Sequence, residues 1–369
     1  MKSKITIDDV NALGIGAGIL GTGGGGDPYL EGIQLRRELE KHGSQTLLDP
    51  QMIDENVLAV VVGMIGAPTA GIEKLREGTE IIRAVRLLER HLGQKFGAIV
   101  IAEIGGANSM GPLVTGLQAG VPTVDGDGMG RAFPELQMCS FLLQGDVTVA
   151  PLAMADAGVA TAVIPKTKTA VWSERLARNL ATSMGATAGL ACMVMTGKQV
   201  KEYCVPYTVS LACRLGERVI QARAKNEDVS DVIARSLGGK VQLRGKITDV
   251  FRRTTRGWAQ GNLTVESFSD SSVRLEINFQ NEFLIAKENG NVVATVPDMI
   301  CIVVEETGEP IPTERLYYGA RVAVIVVPGA AVLKTSDALQ VVGPRAFGYD
   351  IEFSPLPGDL PASGEILHD

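Results

Sequence analysis

Two hydrophobic rhythms divide the chain. Over the first 165 residues, helix-like and strand-like patterns alternate. Residues 27–43 carry helix punctuation at both ends, with Asp27 as cap, Pro28 at the first helical position and Gly43 as stop. The run VLAVVVGMIG at 57–66 is nearly continuous in apolar residues, which predicts a strand buried on both faces. Residues 79–92 set Ile81, Val85, Leu88 and Leu92 on one helical stripe, and Gly93 ends it. A second buried strand is predicted at 98–104 and a short third at 121–124, with a helix near 110–118 between them. Strand–helix–strand alternation with short links favours a mainly parallel sheet covered by helices. Residues 147–150 and 159–164 read as further strands at antiparallel edges.

Past residue 165 the rhythm changes. Residues 172–236 pattern mostly as helix. Within them the stretch LATSMGATAGLACMVMTG, at 180–197, carries no charge, and Ala181, Gly185 and Gly189 recur every four residues. That spacing predicts a buried or subunit-interface helix, and with it a homo-oligomer. A membrane span is the poorer reading, because the chain offers no second one. After Gly238, short strands and turns follow at 240–248, 262–267, 273–279, 292–296, 300–305 and 320–327. The Asn289-Gly290 pair marks a tight hairpin. The expected architecture is an α/β N-terminal domain over 1–165 with a mainly parallel sheet, then a second domain over 166–369. The second is helical to about 238 and β-rich beyond it, sandwich-like or barrel-like.

Composition then removes whole classes of function. With 35 basic against 42 acidic residues the net charge is −7, and aromatics make up only 5%. Neither phosphate-backbone attraction nor base stacking is favoured, so nucleic acid is not an expected partner. Five scattered cysteines without a C-x-x-C pair predict free thiols in a reducing compartment. The opening MKSKITIDDV does not read as a signal peptide. A cytoplasmic protein with a small-molecule substrate and no membrane contact is the expectation. Histidine is scarce, at positions 42, 91 and 368, which argues against His-ligated zinc hydrolases and against Ser-His-Asp or Cys-His machinery. Carboxylates and backbone N–H groups are left to carry the chemistry.

Four loops have the composition for it. GTGGGGD at 21–27 runs into the N-terminus of the helix predicted at 27–43, where free N–H groups of Gly23, Gly24, Gly25 and Gly26 could cradle an anion or a carbonyl oxygen. The plainer reading is a tight turn with Asp27 as cap. GAPTAG at 66–71, EIGGANS at 103–109 and DGDGMGR at 125–131 each follow a predicted strand. Parallel strands would gather these three on one rim, where open α/β sheets bind ligands. The rim would hold Glu103, Asn108, Ser109, Asp125, Asp127, Arg131 and Glu135. Glu103 ends an apolar strand, so desolvation can raise its pKa towards general acid–base use; a structural, amide-bonded acid is the alternative. Asp125 and Asp127 could hold a divalent metal, although the segment fails as an EF-hand and suits an ordinary turn equally well.

The segments LGTGGGGDPY (20–29), the 103–109 loop and DGDGMGRAFPELQM (125–138) resemble the S-methyl thiohydantoin desulfurase family, as do NEFL (281–284), VPDMI (296–300) and GPRAFGYD (343–350) further on. The resemblance spans nearly the whole chain. It implies an α/β domain followed by a β-containing one, and hydrolytic replacement of a methylthio group on a five-membered ring, giving hydantoin and methanethiol. It also implies proximity to hydantoinase- and oxoprolinase-type proteins. On this reading Glu103, Asp125 or Asp127 activates water, Arg131 and the glycine loop steady developing negative charge, and Asn108 and Ser109 orient the ring. A non-catalytic accessory subunit of a hydantoinase-type assembly is the competing expectation.

Overall fold

The computed structural model describes residues 2–66, 77–143, 145–255, 258–362 and 366. Most of the predicted loop at 66–71 lies outside them. Nine strands of the first sheet are β1 (Lys4–Ile5), β2 (Gln45–Leu48), β3 (Leu58–Gly66), β4 (Ala98–Ile101), β5 (Thr123–Asp127), β6 (Leu152–Ala155), β7 (Thr161–Ile164), β8 (Thr187–Thr196) and β9 (Val205–Pro206). Their order is β1-β2-β5-β4-β3-β8-β6-β7, with β9 alongside β5. Strands β2, β5, β4 and β3 are parallel neighbours, and antiparallel strands flank them. The expected α/β architecture with a parallel core is therefore present.

Strand β3 explains its own unbroken apolar run. Val60 and Val62 point into a core shared with Ile81, Val85 and Leu88 of the Glu80–Leu92 helix, while Ala59, Val61 and Ile65 enter the larger core on the other face. The helix punctuation also behaves as read. Asp27 accepts from Tyr29 N at 3.0 Å ahead of the Pro28–His42 helix, and Gly43 and Gly93 close their helices at positive φ.

One segment corrects the sequence reading. Residues 187–196 form a central strand, β8, between β3 and β6, not a buried helix. The preceding Ala170–Ser183 helix stops short of it, and Gly185 turns the chain at φ +85°. Gly189 is small because a Cβ there would lie 2.4 Å from the Glu80 carbonyl carbon, so glycine lets the helix start sit directly on the strand. The close helix–helix crossing occurs elsewhere. The Val10–Leu20 and Thr208–Lys225 helices meet at Gly16 and Gly216, each of whose Cβ would fall 1.8 Å from a carbonyl oxygen of the partner helix. Likewise residues 147–150 are not a strand; the edge pair is β6 with β7. Among the described residues no helix is long and apolar enough to cross a membrane.

The second sheet is antiparallel, with β10 (Lys240–Thr255), β11 (Trp258–Ser267), β12 (Arg274–Gln280), β13 (Glu282–Glu288), β14 (Asn291–Thr295), β15 (Met299–Val304) and β16 (Arg321–Val327). It runs β14-β13-β12-β11-β10-β16-β15 and curls, so that its two end strands pack near one another. Asn289 and Gly290 form the predicted hairpin turn between β13 and β14. Strand β13 itself was not anticipated. A single residue separates it from β12, the chain reversing at Asn281 with φ +58°.

Candidate active site

Because β3, β4 and β5 are parallel, the loops leaving β4 and β5 emerge on one rim. The glycine loop joins them. Asn108 N donates to Gly25 O at 3.0 Å and Ala107 N to Gly26 O at 3.2 Å. Carbonyls of the loop thus cap the Gly106–Ala119 helix. The approach requires glycine on both sides, since a Cβ on Gly25 would lie 2.5 Å from Gly105 Cα. The start of β13 closes the far wall. Phe283 N donates to Thr22 O and Thr313 N to Gly23 O.

These elements enclose a cavity of about 420 Å³, within the roughly 300–1,000 Å³ usual for small-molecule sites. Of the expected residues, Glu103, Asn108, Glu135, Asp27, Gly24, Gly25 and Gly26 line it, whereas Gly23, Ser109, Asp125, Asp127 and Arg131 do not. Its floor is apolar, with Val61, Ile65 and Leu190 among the lining residues.

Glu103 is buried at the cavity wall. Its Oε1 accepts from Asn108 Nδ2 at 2.6 Å and its Oε2 from Phe133 N at 2.9 Å. Burial outweighs these bonds and pushes its pKa up to about 7. Facing it is an acid that the sequence reading missed, Glu282, only 3% exposed. Burial and the charge of Glu103 hold Glu282 well above the usual carboxylate range. Its Oε2 has no hydrogen-bond partner among the described residues, and its Oε1 occupies the space that a side chain on Gly24 would need. The signal that could have found it is the one that found Glu103: an acid at the end of an apolar strand, here FLIA.

Arg131 lies behind the two acids. Its guanidinium donates to the carbonyls of Ala132, Asp298 and Phe283 and sits 4.9 Å above the Phe133 ring. It ties the loop after β5 to β13. Burial lowers its pKa to about 10, where it remains a cation at neutral pH. Further along the wall Glu174 pairs with Arg178 at 2.5 Å, and Asp27 pairs with Arg315.

The DGDG acids are built differently. Asp127 Oδ2 accepts from the backbone N–H groups of Ile104, Met129 and Gly130, and Oδ1 from Gly130 as well. Asp125 accepts from Ser210 N at 2.9 Å and Ser210 Oγ at 2.5 Å, holding the start of the Thr208–Lys225 helix. Burial raises both, Asp127 to about 7. With their oxygens facing N–H and O–H donors, these carboxylates do not fit a divalent cation, and no cluster of three or more metal-ligating side chains occurs among the described residues. Ser109 Oγ turns back to Gly106 O. Glu135 meets Gln137 at the cavity edge. The cysteines are buried, and burial pushes the Cys192 thiol in the cavity wall well up, as it does Cys139. A thiolate nucleophile is therefore disfavoured.

Comparison with known proteins agrees with this architecture. A solved structure of a protein from Chromobacterium violaceum is 22% identical, covers 96% of this chain and 99% of its own, and superposes with a TM-score of 0.79, which establishes a shared fold. No curated protein matches the chain. The family model described as S-Me-THD-like, N-terminal domain, matches residues 8–166, and that described as S-Me-THD-like, C-terminal domain, matches residues 145–356. With two family models spanning the rim loops and β13 alike, the chain belongs to the S-Me-THD-like family, that of the S-methyl thiohydantoin desulfurases.

Proposed function

We propose that the protein is a hydrolase that replaces the methylthio group of an S-methylated thiohydantoin ring with water. The observation that carries this reading is the pair of buried carboxyls, Glu103 and Glu282, facing one small cavity. Two titratable groups whose surroundings separate their pKa values are suited to opposite proton-transfer roles. Glu103, raised to about 7 and accepting a bond at each oxygen, is poised as the base, and Glu282, whose Oε2 accepts none, as the acid.

Glu103 takes a proton from water as the water oxygen bonds to the ring carbon between the two nitrogens. Glu282 gives its proton to the ring nitrogen, which receives the electron pair of the C=N bond. The C–S bond then breaks, and the departing thiolate takes the proton collected by Glu103. The remaining hydroxyl proton returns to Glu282 as the carbonyl forms. Methanethiol and hydantoin leave with both carboxyls restored. Asn108 Nδ2 fixes the Glu103 carboxylate and lies where it can orient the ring, and Arg131 favours ionised carboxyls from behind.

A thiol-release assay tests the reading. The purified protein is expected to liberate methanethiol from a panel of S-methylated thiohydantoins and to leave plain hydantoins untouched. Folded protein that releases no thiol from any member of the panel, while still binding the rings, would instead favour an accessory binding role.

A further inference from the structure

The charges around the two acids do not balance. Among the described residues, Glu103 acts on Glu282, Glu174 lines the same cavity, and two guanidiniums, Arg131 and Arg178, oppose the three carboxyls. Arg178 is engaged with Glu174. Arg131 faces both Glu103 and Glu282, which leaves one carboxyl in excess. The other charged groups lining the cavity do not correct this: Arg315 pairs with Asp27, and Glu31 and Glu314 are further acids. Asp298, on the far side of Arg131, is held by the N–H groups of Gly329 and Leu356 and by Lys334. Glu135, beside Glu174, adds negative charge. The excess carboxyl is also the one whose Oε2 finds no partner although Glu282 is 97% buried by its 3% exposure. A buried carboxyl that shares its cation with a second acid and leaves one oxygen without a donor keeps a proton.

We infer that the cavity binds its ring as a cation, with a protonated N–C–N group of the isothiouronium or cyclic guanidinium type held by Glu282 and supplying the charge that a proton supplies in the free protein. The inference rests on the proposed reading of this cavity as the reaction site. It sharpens the step in which Glu282 protonates the ring: proton transfer is complete on binding, so the carbon between the nitrogens is already electrophilic when water attacks. Protonated thioimidate-type rings are the substrate class, and neutral rings of the same shape are poor ligands.

Two five-membered probes separate these charge states, 2-aminoimidazoline, which is a cation, and imidazolidin-2-one, which is neutral. Calorimetry at pH 8 should show the cation binding at least ~30-fold tighter, the equivalent of a ~2 kcal/mol buried charge pair. Binding should expel about one proton, read from buffers of different ionisation enthalpy, and should weaken as the pH falls. Glu282→Gln should erase the preference while leaving binding of the neutral ring in place. If that variant does not fold, the wild-type comparison of the two rings still decides. Equal affinity for both rings, or no binding of either, overturns the inference. Thiol release measured on the same preparation keeps the two readings apart. Release without cation preference retains the desulfurase and discards the cation, and cation preference without release does the opposite.

Discussion

Glu103 with Glu282, and Asp125 with Asp127, are two pairs of buried acids within one small region, and burial raises all four. They differ in what their oxygens touch. Asp127 accepts from three backbone N–H groups, and Asp125 accepts from the backbone and side chain of Ser210. Each Glu103 oxygen accepts a single bond, and one Glu282 oxygen accepts none. The first pair faces a cavity and the second does not. A displaced pKa alone therefore does not distinguish chemistry from architecture, because desolvation acts on both pairs. Spare acceptor capacity beside open volume does.

The largest expected effect breaks the comparison on the catalytic side. Glu103→Gln should lower thiol release by roughly 10²–10⁴-fold, the usual contribution of a general base, with little change in melting temperature. In the wild-type protein kcat/KM should fall as the pH drops through about 7, since Glu103 must be ionised to accept a proton. Stability should run the other way. A carboxyl whose folded pKa exceeds its unfolded value of about 4.3 contributes stability below that value and loses it as the pH rises through its folded one. A pH–rate limb that persists in Glu103→Gln would remove this residue from the base role.

Asp127→Asn should produce the complementary result. The amide turns a donor towards three N–H groups or leaves one of them unpaired, at a cost of about 3 kcal/mol. Urea denaturation should show the loss, while the folded fraction keeps its thiol release. Full stability together with lost turnover would place Asp127 in the chemistry instead.

How much of this was legible follows from local physics. The rim was legible because β3 and β4 are strongly apolar runs, β5 follows a further helix signal, and Glu103 stood out as an acid closing such a run. Glu282 was hidden. With a one-residue reversal at Asn281, residues 273–288 contain no glycine or proline to announce a turn, and β12 runs into β13 unmarked. Strand β8 was misread because glycine and alanine at fourth positions imitate a helix seam, whereas Gly189 is set by the approach of a neighbouring helix, information that lies more than a hundred residues away. The reach of Arg131 to β13 is of the same long-range kind.

A finer test lies within the glycine loop. A Cβ on Gly24 would lie 2.1 Å from Glu282 Oε1, the end of a side chain, whereas one on Gly25 would meet Gly105 Cα at 2.5 Å with φ at +76°. Gly24→Ala should displace the carboxyl and reduce thiol release by about tenfold, near 1.4 kcal/mol, at small cost in stability. Gly25→Ala should separate two backbones and act first on folding. If the two variants behaved alike, the loop would serve only as a turn.

The smallest effect tests the architectural pair most directly. Ser210→Ala removes one of the donors to Asp125 but keeps the backbone N–H that also reaches it, and it deprives the half-buried Lys2 N of an acceptor. The cost is set by the lost O–H···O bond and the lost acceptor of Lys2 N, about 1–2 kcal/mol. Asp125 is partly desolvated already, so losing a donor raises its pKa further in the direction burial has taken it. None of this touches the cavity wall, and the rate of thiol release and its pH profile should be unchanged. A shifted profile would mean that Asp125 communicates with Glu103 through β5 and its following loop, and the two pairs of acids would then form one titrating system rather than a site and its support.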